Sequence, residues 1–234
     1  MNSSLYTSAV VISNQPIGNQ IRHLKIKADE PMPYEAGQFF ILQLHHGSGE
    51  CIERSYSVAN FSNGPLIEFV VRIEAQGKMT QLIDRLTPGD QLSLKGPFGH
   101  FGSISDSIDQ LILVAGGVGI SPFRSILQKS FQRKETFPIQ LFYGFRTPQD
   151  FLFREELEHY TSTGRLTLIP LASEGAIDGE GRTGFISDFL KGNIFSPKEN
   201  THCLVCGPPL MVKATKEKLL SLGFDRRQIH LEAW

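Results

Sequence analysis

The sequence contains few cysteines and no excess of charge of either sign, and each shortage argues against a class of function. Three cysteines, Cys51, Cys203 and Cys206, cannot supply the four thiolates of an all-cysteine iron–sulfur cluster, so no metal site is expected. Cys203 and Cys206 have C-x-x-C spacing, but the intervening Leu-Val fits a buried strand and favours an accidental pair. An odd number is also a poor disulfide framework, which favours a reducing, cytoplasmic location. A formal net charge of −1 argues against a nucleic-acid-binding protein.

Long hydrophobic runs are also missing. The longest one, residues 111–120, is too short to span a bilayer and contains three glycines. The first residues, 1–11, show neither a basic segment nor a sustained apolar stretch. We therefore expect neither a targeting segment nor insertion into a membrane.

Residues 1–103 have the sequence pattern of an all-β domain. Short apolar or alternating segments are separated by turn signals such as Asn63-Gly64-Pro65. Strands at this spacing predict an antiparallel Greek-key β-barrel. One helix interrupts the strands, and it is indicated by apolar residues at helical spacing: Met79, Leu82, Ile83 and Leu86.

From residue 104 onward, predicted strands alternate with predicted helices. The strands are expected at residues 111–115, 139–144, 166–171, 203–207 and 229–232. Helical patterns lie between them, including 123–131 and 210–222, and Gly223 ends the second of these. Such alternation predicts an α/β domain with a parallel, Rossmann-like sheet. We therefore place one domain at residues 1–103 and a second at residues 104–234.

Five short motifs occur in a fixed order, and each is suited to one part of a dinucleotide site. They are Arg54-Ser55-Tyr56-Ser57, Gly77-Lys78-Met79-Thr80, Gly116-Gly117-Val118-Gly119-Ile120-Ser121-Pro122, Cys206-Gly207-Pro208-Pro209 and Glu232-Ala233-Trp234. In this order they resemble the motifs of the ferredoxin–NADP reductase superfamily, and the resemblance covers residues 24–234. It implies an FAD-binding barrel followed by an NAD(P)H-binding α/β domain.

The first two motifs suit the diphosphate of a flavin dinucleotide. A guanidinium forms forked, charge-assisted hydrogen bonds to phosphates, and the first amides of a helix bind anions. FMN has no diphosphate, so the two motifs together favour FAD. By the resemblance, Arg54 contacts the diphosphate, Tyr56 packs on the ribityl chain and ring, and Ser57 lies near flavin N5. The FAD site is expected to contain Arg54, Tyr56, Ser57, Val70, Arg72, Gly77, Lys78, Met79, Thr80 and Trp234.

The next two motifs suit a nicotinamide dinucleotide. Ser121 is a good N-cap and Pro122 a good first helical residue, so the glycine-rich loop would direct free amides towards a phosphate. By the resemblance, Cys206 lies beside nicotinamide C4, where a thiol shapes the pocket more than it reacts. The NAD(P)H site is expected to contain Gly117, Gly119, Ile120, Ser121, Pro122, Arg146, Asp150, Cys206, Gly207, Pro208 and Met211.

Two features leave alternatives open. Ser173 stands where NADPH-dependent relatives often carry an arginine, and the charge of Glu174 would repel a 2′-phosphate. Because Arg146 or Arg154 could partly compensate, NADH is favoured over NADPH without excluding it. The terminal Trp234 resembles aromatic residues that cover the flavin ring in some relatives and the adenine in others.

These expectations describe an NAD(P)H-dependent flavoprotein reductase. Hydride would pass from the nicotinamide to flavin N5, with Ser57, Cys206 and Glu232 as the catalytic residues, and electrons would leave singly to a separate acceptor. That acceptor could be a ferredoxin-like protein, an oxygenase component, a cytochrome or a small molecule; with free flavin, the protein would be a flavin reductase. The alternative from another class is a flavin-binding regulatory module without turnover, but none of the five motifs is degraded.

Overall fold

The chain folds into two compact units. The structure, a computed structural model, describes residues 6–46, 49–104, 108–175, 184–191 and 200–233. The first unit comprises Met1–Ser103 and Ser121–Gln132, and the second comprises Ile104–Ile120 and Arg133–Trp234. Each unit contains its own β-sheet, and a hydrophobic core lies against each sheet.

The first unit is built on a six-stranded antiparallel sheet. Its strands are β1 (Thr7–Gly18), β2 (Ile21–Ala28), β3 (Phe39–His46), β4 (Glu50–Ser57), β5 (Leu66–Arg72) and β6 (Gln91–Phe98). They lie in the order β4-β3-β6-β1-β2-β5. An isolated antiparallel bridge joins Val58, directly after β4, to Phe69 of β5, so the two edges of the sheet meet at that point. The predicted antiparallel domain is confirmed.

Alternation along the strands sorts side chains between the core and the opposite face of the sheet. In β5, Ile67, Phe69 and Val71 pack in the core, whereas Glu68 and Val70 lie on the other face. The helix α1 (Lys78–Arg85) adds two buried side chains, Met79 and Ile83, to the same core. This helix confirms the helical spacing read from the sequence.

The second unit is built on a five-stranded sheet in which every pairing is parallel. Its strands are β7 (Gln110–Gly116), β8 (Ile139–Phe145), β9 (Leu166–Ala172), β10 (Thr201–Gly207) and β11 (Ile229–Ala233). All five predicted strands are confirmed, with ends that differ by no more than two residues. The order β11-β10-β7-β8-β9 changes direction between β7 and β10. Open α/β sheets bind ligands at the carboxyl ends of the strands that flank such a switch point.

In the part of the chain that the structure describes, four further helices follow strands of the second sheet: α2 (Ile120–Gln132), α3 (Arg154–Ser162), α4 (Ile186–Phe189) and α5 (Pro209–Ser221). The predicted end of α5 is confirmed, since Gly223 follows it with φ +91°. By its contacts, α2 packs with the first unit from Ser121 onward. Among the described residues, no helix is long and apolar enough to cross a membrane.

The start of α2 differs from the prediction. A 3₁₀ turn at Gly117–Gly119 already winds the chain, and the Ile120 N–H donates to the Gly117 carbonyl. The helix therefore begins at Ile120. Ser121 and Pro122 are its second and third residues, not its N-cap and first residue.

Candidate functional site

A pocket of about 570 Å³ opens in the first unit between β4 and the start of α1. It is lined by Glu50, Cys51, Ile52, Glu53, Arg54, Gln76, Gly77 and Lys78. The Arg-x-Tyr-Ser motif and the Gly-x-x-Thr motif therefore contribute to one cavity, although Gly77 follows Arg54 by 23 positions in the chain. We call this cavity the Arg54 pocket.

Two cations, Arg54 and Lys78, line the Arg54 pocket together with two glutamates, Glu50 and Glu53. Arg54 is exposed and donates one hydrogen bond from Nη1 to the Glu53 carbonyl oxygen at 2.7 Å, which leaves other guanidinium donors for a ligand. Lys78 Nζ lies 3.0 and 3.1 Å from the two carboxylate oxygens of Glu50. Both side chains of this ion pair are more than half exposed, so it contributes little to stability. Lys78 can exchange Glu50 for a phosphate at small cost.

The turn into α1 brings main-chain donors to the same pocket. A Cβ on Gly77 would lie 2.5 Å from Thr80 Oγ1 and 3.0 Å from Glu74 Cβ, so the turn accepts only glycine. The Thr80 hydroxyl closes this turn, accepting from the Glu74 N–H and lying 3.0 Å from the Gly77 carbonyl. Thr80 therefore offers a ligand its backbone N–H. The first helical hydrogen bond runs from the Gln81 N–H to Gly77, so the amides of residues 78–80 have no acceptor within the helix.

The other predicted flavin-site residues lie along β4 and β5. Tyr56 is half-buried, with its ring edge-on to Phe69 at a centroid distance of 6.5 Å. Burial raises the pKa of Tyr56 to about 12, against a smaller lowering by the charge of Arg54, so it stays a phenol at neutral pH. Ser57 is half-buried at the end of β4. Val70 is buried and Arg72 half-buried, on the same face of β5.

Met79, Trp234 and Glu50 stand apart from the other residues of this site. The Met79 side chain is buried in the core, so only its backbone can reach a ligand. Trp234 lies outside the described residues, and its contact with the flavin stays a prediction. Glu50 lines the Arg54 pocket but was not predicted, although it lies four residues before Arg54 on the same face of β4, a spacing visible in the sequence.

In the second unit, the loops after β7 and β10 meet at the switch point. A Cβ on Gly116 would lie 2.5 Å from Met211 Sδ, and one on Gly207 would lie 2.7 Å from Met211 Cε. A Cβ on Gly119 would collide with the carbonyl group of Cys206. The glycines are therefore required where the two loops pack on each other, which places both predicted NAD(P)H motifs at one point of the sheet.

The remaining residues of these loops are mostly enclosed. Gly117 has φ +54°, which favours glycine. Ile120, Ser121 and Pro122 are buried, whereas Pro208 is exposed directly before α5. The buried side chains hold the loop in place, so a nucleotide would be contacted by main-chain groups.

Cys206 and Glu232 are brought together by the sheet. They are register partners on the adjacent strands β10 and β11. Cys206 is 1% exposed, and burial, together with the charge of Glu232, raises the pKa of its thiol well above the usual value. Cys206 is therefore a neutral thiol, which supports a role in shaping a pocket. Ser57, the third predicted catalytic residue, belongs to the first unit.

The C-x-x-C pair is accidental, as predicted. Cys203 and Cys206 stand three residues apart on β10, so their side chains point to opposite faces of the sheet. Their Cα atoms are then about 10 Å apart, beyond the reach of a disulfide. Both thiols are buried and free, and Cys51 is free and exposed.

Arg146 and Glu174 form an ion pair after the ends of β8 and β9. Arg146 Nε lies 3.0 Å from Glu174 Oε1, and the Glu174 N–H donates to the Arg146 carbonyl at 2.8 Å. Both side chains are exposed. Arg154 is instead engaged with Glu158, one helical turn away at 2.7 Å. A nucleotide bound at the carboxyl ends of β8 and β9 would therefore meet Arg146 already paired with Glu174.

Asp150 is buried in the turn that follows β8. It is 2% exposed, and its Oδ2 accepts hydrogen bonds from the Thr147 N–H at 3.3 Å and the Thr147 hydroxyl at 3.1 Å. This reciprocal pair caps the 3₁₀ turn Pro148–Asp150. The carboxylate is already engaged in the turn, and its contact with the nucleotide stays a prediction.

Two family models match the chain. Residues 8–102 match the oxidoreductase FAD-binding domain, and residues 113–217 match the oxidoreductase NAD-binding domain. The two matches take in most of the sequence. The chain therefore belongs to the ferredoxin–NADP reductase superfamily of FAD- and NAD-binding oxidoreductases.

Individual relatives agree with this class. A ferredoxin NADP⁺ reductase from Neisseria gonorrhoeae, solved with bound FAD and NADP, has a TM-score of 0.89 and 25% identity, covering 99% of both chains. The phenol 2-monooxygenase reductase component DmpP of Pseudomonas sp. (strain CF600) is 31% identical over 91% of this chain and 61% of its own length. The glycine betaine monooxygenase reductase subunit of Chromohalobacter salexigens is 29% identical over 92% of this chain. The chain spans 60% of the length of that subunit.

The residues present fit the two dinucleotides. The Arg54 pocket combines two cations with helix-terminal amides and a turn that excludes any Cβ, which suits a diphosphate. The switch point of the second sheet combines close-packed glycines with a buried neutral thiol. FAD and NADH or NADPH are the cofactors of this class.

Proposed function

We propose that the protein oxidises NADH or NADPH and passes the electrons through bound FAD to a separate acceptor. The observation that carries this proposal is that one chain holds both a pocket lined by two cations and the start of α1, and a parallel sheet with a glycine-lined switch point. We assign FAD to residues 1–103 and the nicotinamide nucleotide to residues 104–234.

The chain's own residues bind and position the cofactors. Bound FAD supplies the redox chemistry, because a flavin accepts two electrons together and releases them singly. Arg54, Lys78 and the first amides of α1 hold the diphosphate, and Tyr56 packs against the flavin as an uncharged phenol. Ser57 is proposed to contact the flavin ring at N5.

Two residues are proposed to contact the nicotinamide. Cys206 contributes a small uncharged wall, because a buried thiol of raised pKa neither repels the ring nor competes for its hydrogen bonds. Glu232, its neighbour on β11, supplies the negative charge next to it. The neutral state of Cys206 supports a positioning contact over a nucleophilic one.

The preferred nucleotide is proposed to be NADH. Glu174 already pairs with Arg146, so the charge of this exposed arginine is neutralised before any nucleotide binds. A 2′-phosphate would have to replace Glu174 and would remain close to its charge. A ribose hydroxyl meets no such repulsion.

The acceptor is proposed to be a protein: an oxygenase component, a ferredoxin-like protein or a cytochrome. The relatives named above as reductase component or subunit of a monooxygenase support this choice. A naphthalene dioxygenase ferredoxin–NAD(P)⁺ reductase component from Pseudomonas putida, 26% identical over 96% of this chain, supports it as well.

The proposal is tested with the purified protein. The bound flavin is released by denaturation and identified by chromatography, and NADH oxidation is measured with ferricyanide as an artificial acceptor. We expect FAD and steady turnover. FMN alone, or no flavin, would contradict the cofactor assignment, and bound FAD without NADH or NADPH oxidation would favour the regulatory module.

A further inference from the structure

We propose that Glu68 is a positioning residue that fastens two parts of the first unit together: the strand end that carries Tyr56 and Ser57, and the helix α2 that carries Ser121 and Pro122. This inference rests on the proposed function, because those residues are the ones assigned to FAD and to the nicotinamide nucleotide. It predicts that a single buried carboxylate controls the binding of both ligands.

Glu68 lies at the centre of a buried ionic cluster, which we call the Glu68 cluster. Its Oε2 is 2.8 Å from His23 Nε2 and 2.8 Å from Arg124 Nη1, and its Oε1 is 3.5 Å from Lys25 Nζ. The side chains of Glu68, His23 and Arg124 are 9%, 11% and 12% exposed. Such groups would be too costly to bury singly, so each depends on the others.

The first connection of the cluster is to the chain that follows Ser57. The Glu68 carbonyl accepts from the Ala59 N–H at 2.8 Å, and the Glu68 N–H donates to Asn60 Oδ1 at 2.9 Å. Arg124 Nη1 also donates to the Ala59 carbonyl at 2.8 Å. The backbone directly after the Arg-Ser-Tyr-Ser motif is thus held on both sides by members of the cluster.

The buried Asn60 extends this connection. Its Nδ2 donates to the Leu66 carbonyl at 3.1 Å, and the Tyr34 hydroxyl lies 3.0 Å from its Oδ1. The Val58 N–H, one residue after the motif, donates to the Gln38 carbonyl at 2.9 Å. A shift of residues 58–60 would break several of these bonds at once and would move Ser57 with it.

The second connection is to α2. Arg124 lies in the first turns of this helix, two residues after Pro122. The same helix accepts the Gly37 N–H on Ser125 Oγ at 3.0 Å and the Phe61 N–H on Gln128 Oε1 at 2.8 Å. Among these contacts of α2, only the Arg124 side chain donates both to Glu68 and to the backbone after Ser57, at the Ala59 carbonyl.

Three variants distinguish a positioning role of Glu68 from a role in stability alone. Glu68→Gln leaves the Arg124 guanidinium without its carboxylate, and Arg124→Met leaves Glu68 with only His23 and Lys25, so both variants should lose stability. The double variant E68Q/R124M removes the uncompensated charge and should regain stability, but the bridge is still absent. Lys129→Met is the matched control, since it breaks an ion pair of α2 with Glu35, which is 56% exposed, and does not touch the strand end.

Three measurements are made on each protein: the thermal midpoint, the Kd of FAD for the apoprotein by fluorescence quenching, and the KM and kcat for NADH. In E68Q/R124M we expect the Kd of FAD and the KM for NADH to rise by about tenfold or more, since a displacement of about 1 Å can cost on the order of a hundredfold. K129M should change neither by more than about twofold. Binding that recovers together with stability in the double variant would overturn the proposal, as would a change in only one of the two constants.

Amide hydrogen exchange tests the tether independently of either ligand. In the apoprotein, residues 57–60 and 121–125 should exchange faster in E68Q/R124M than in K129M. Unchanged exchange in both segments would overturn the tether itself. Failure of the wild type to bind FAD or to oxidise NADH would instead contradict the proposed function while leaving this measurement intact.

Discussion

The burial of Glu68 makes the acid stability of the first unit predictable. Burial alone would raise the pKa of this carboxyl group. The hydrogen bond with His23, and the charge and hydrogen bond of Arg124, outweigh burial and lower the pKa to about 2. The ordinary value of a glutamate is 4.5, so the folded state holds this proton much less tightly than the unfolded chain.

The magnitude follows from the difference between those two values. Roughly two and a half pH units correspond to about 3 kcal/mol of stability, an upper estimate. Because the folded pKa is the lower one, this stabilisation is fully present above the unfolded pKa, and it is lost as the pH falls through the folded pKa. About 2 kcal/mol should already be lost at about pH 3.

The assay is urea unfolding of the wild type and of Glu68→Gln at a series of pH values from neutral to acid. The glutamine does not titrate, so the gap in unfolding free energy between the two proteins should shrink as the pH falls. Glu35→Gln is the matched control: Glu35 also pairs with α2 but is 56% exposed, and because an exposed ion pair contributes little, its gap should be small throughout. A gap that is equal at about pH 6 and about pH 3 would refute the reasoning.

Three further outcomes are expected. Arg54→Ala should weaken FAD binding to the apoprotein by about ten- to hundredfold, through loss of a charge-assisted bond; Arg85→Ala, on α1 but outside the Arg54 pocket, is the control, and equal affinities would contradict the pocket assignment. Glu174→Gln releases its paired arginine and should raise kcat/KM for NADPH relative to NADH, whereas an unchanged ratio would mean that this arginine does not meet the 2′-phosphate. Burial lowers the pKa of both His202 and His230, so their stabilising contribution is present above about pH 6.5 and is lost as the pH falls below it. His230→Gln should therefore flatten the fall in thermal midpoint between about pH 7 and about pH 5, and an unchanged slope would argue against this pair.

The parts of the fold that could be predicted from the sequence are those with a strong local signal. Buried parallel strands are continuous apolar runs, so the strands of the second unit were located to within two residues. By contrast, β1 was missed. Its register against β2 shifts between Val11 and Ser13 and again between Pro16 and Gly18, so no simple alternation runs along it. The helix α3 was missed because Leu157 is its only buried side chain, so it shows no apolar stripe.

The site could be predicted where the residue types and their order in the sequence indicate the chemistry. Arg54, Gly77 and Lys78 line one pocket because the sequence carries a cation, a tight turn and a helix start in a recognisable order. For Asp150 the sequence leaves two roles open. An aspartate that follows a strand can read a ribose or cap a turn, and only the structure shows that the hydroxyl and amide of Thr147 already occupy it.

The Glu68 cluster shows why some functional residues escape a reading of the sequence. In β5, Glu68 stands between Ile67 and Phe69, which face the core, so the pleat of the strand places its side chain on the opposite face of the sheet. On that face Glu68 pairs with Arg124, which lies 56 residues away in the sequence. The sequence pattern assigns the helix of Arg124 to the other domain. The buried carboxylate is stable only when Arg124 and His23 surround it, so it disfavours every placement of α2 that leaves it unpaired. Glu68 therefore specifies one arrangement of α2 against the strand end next to Ser57, which a hydrophobic contact alone would not do.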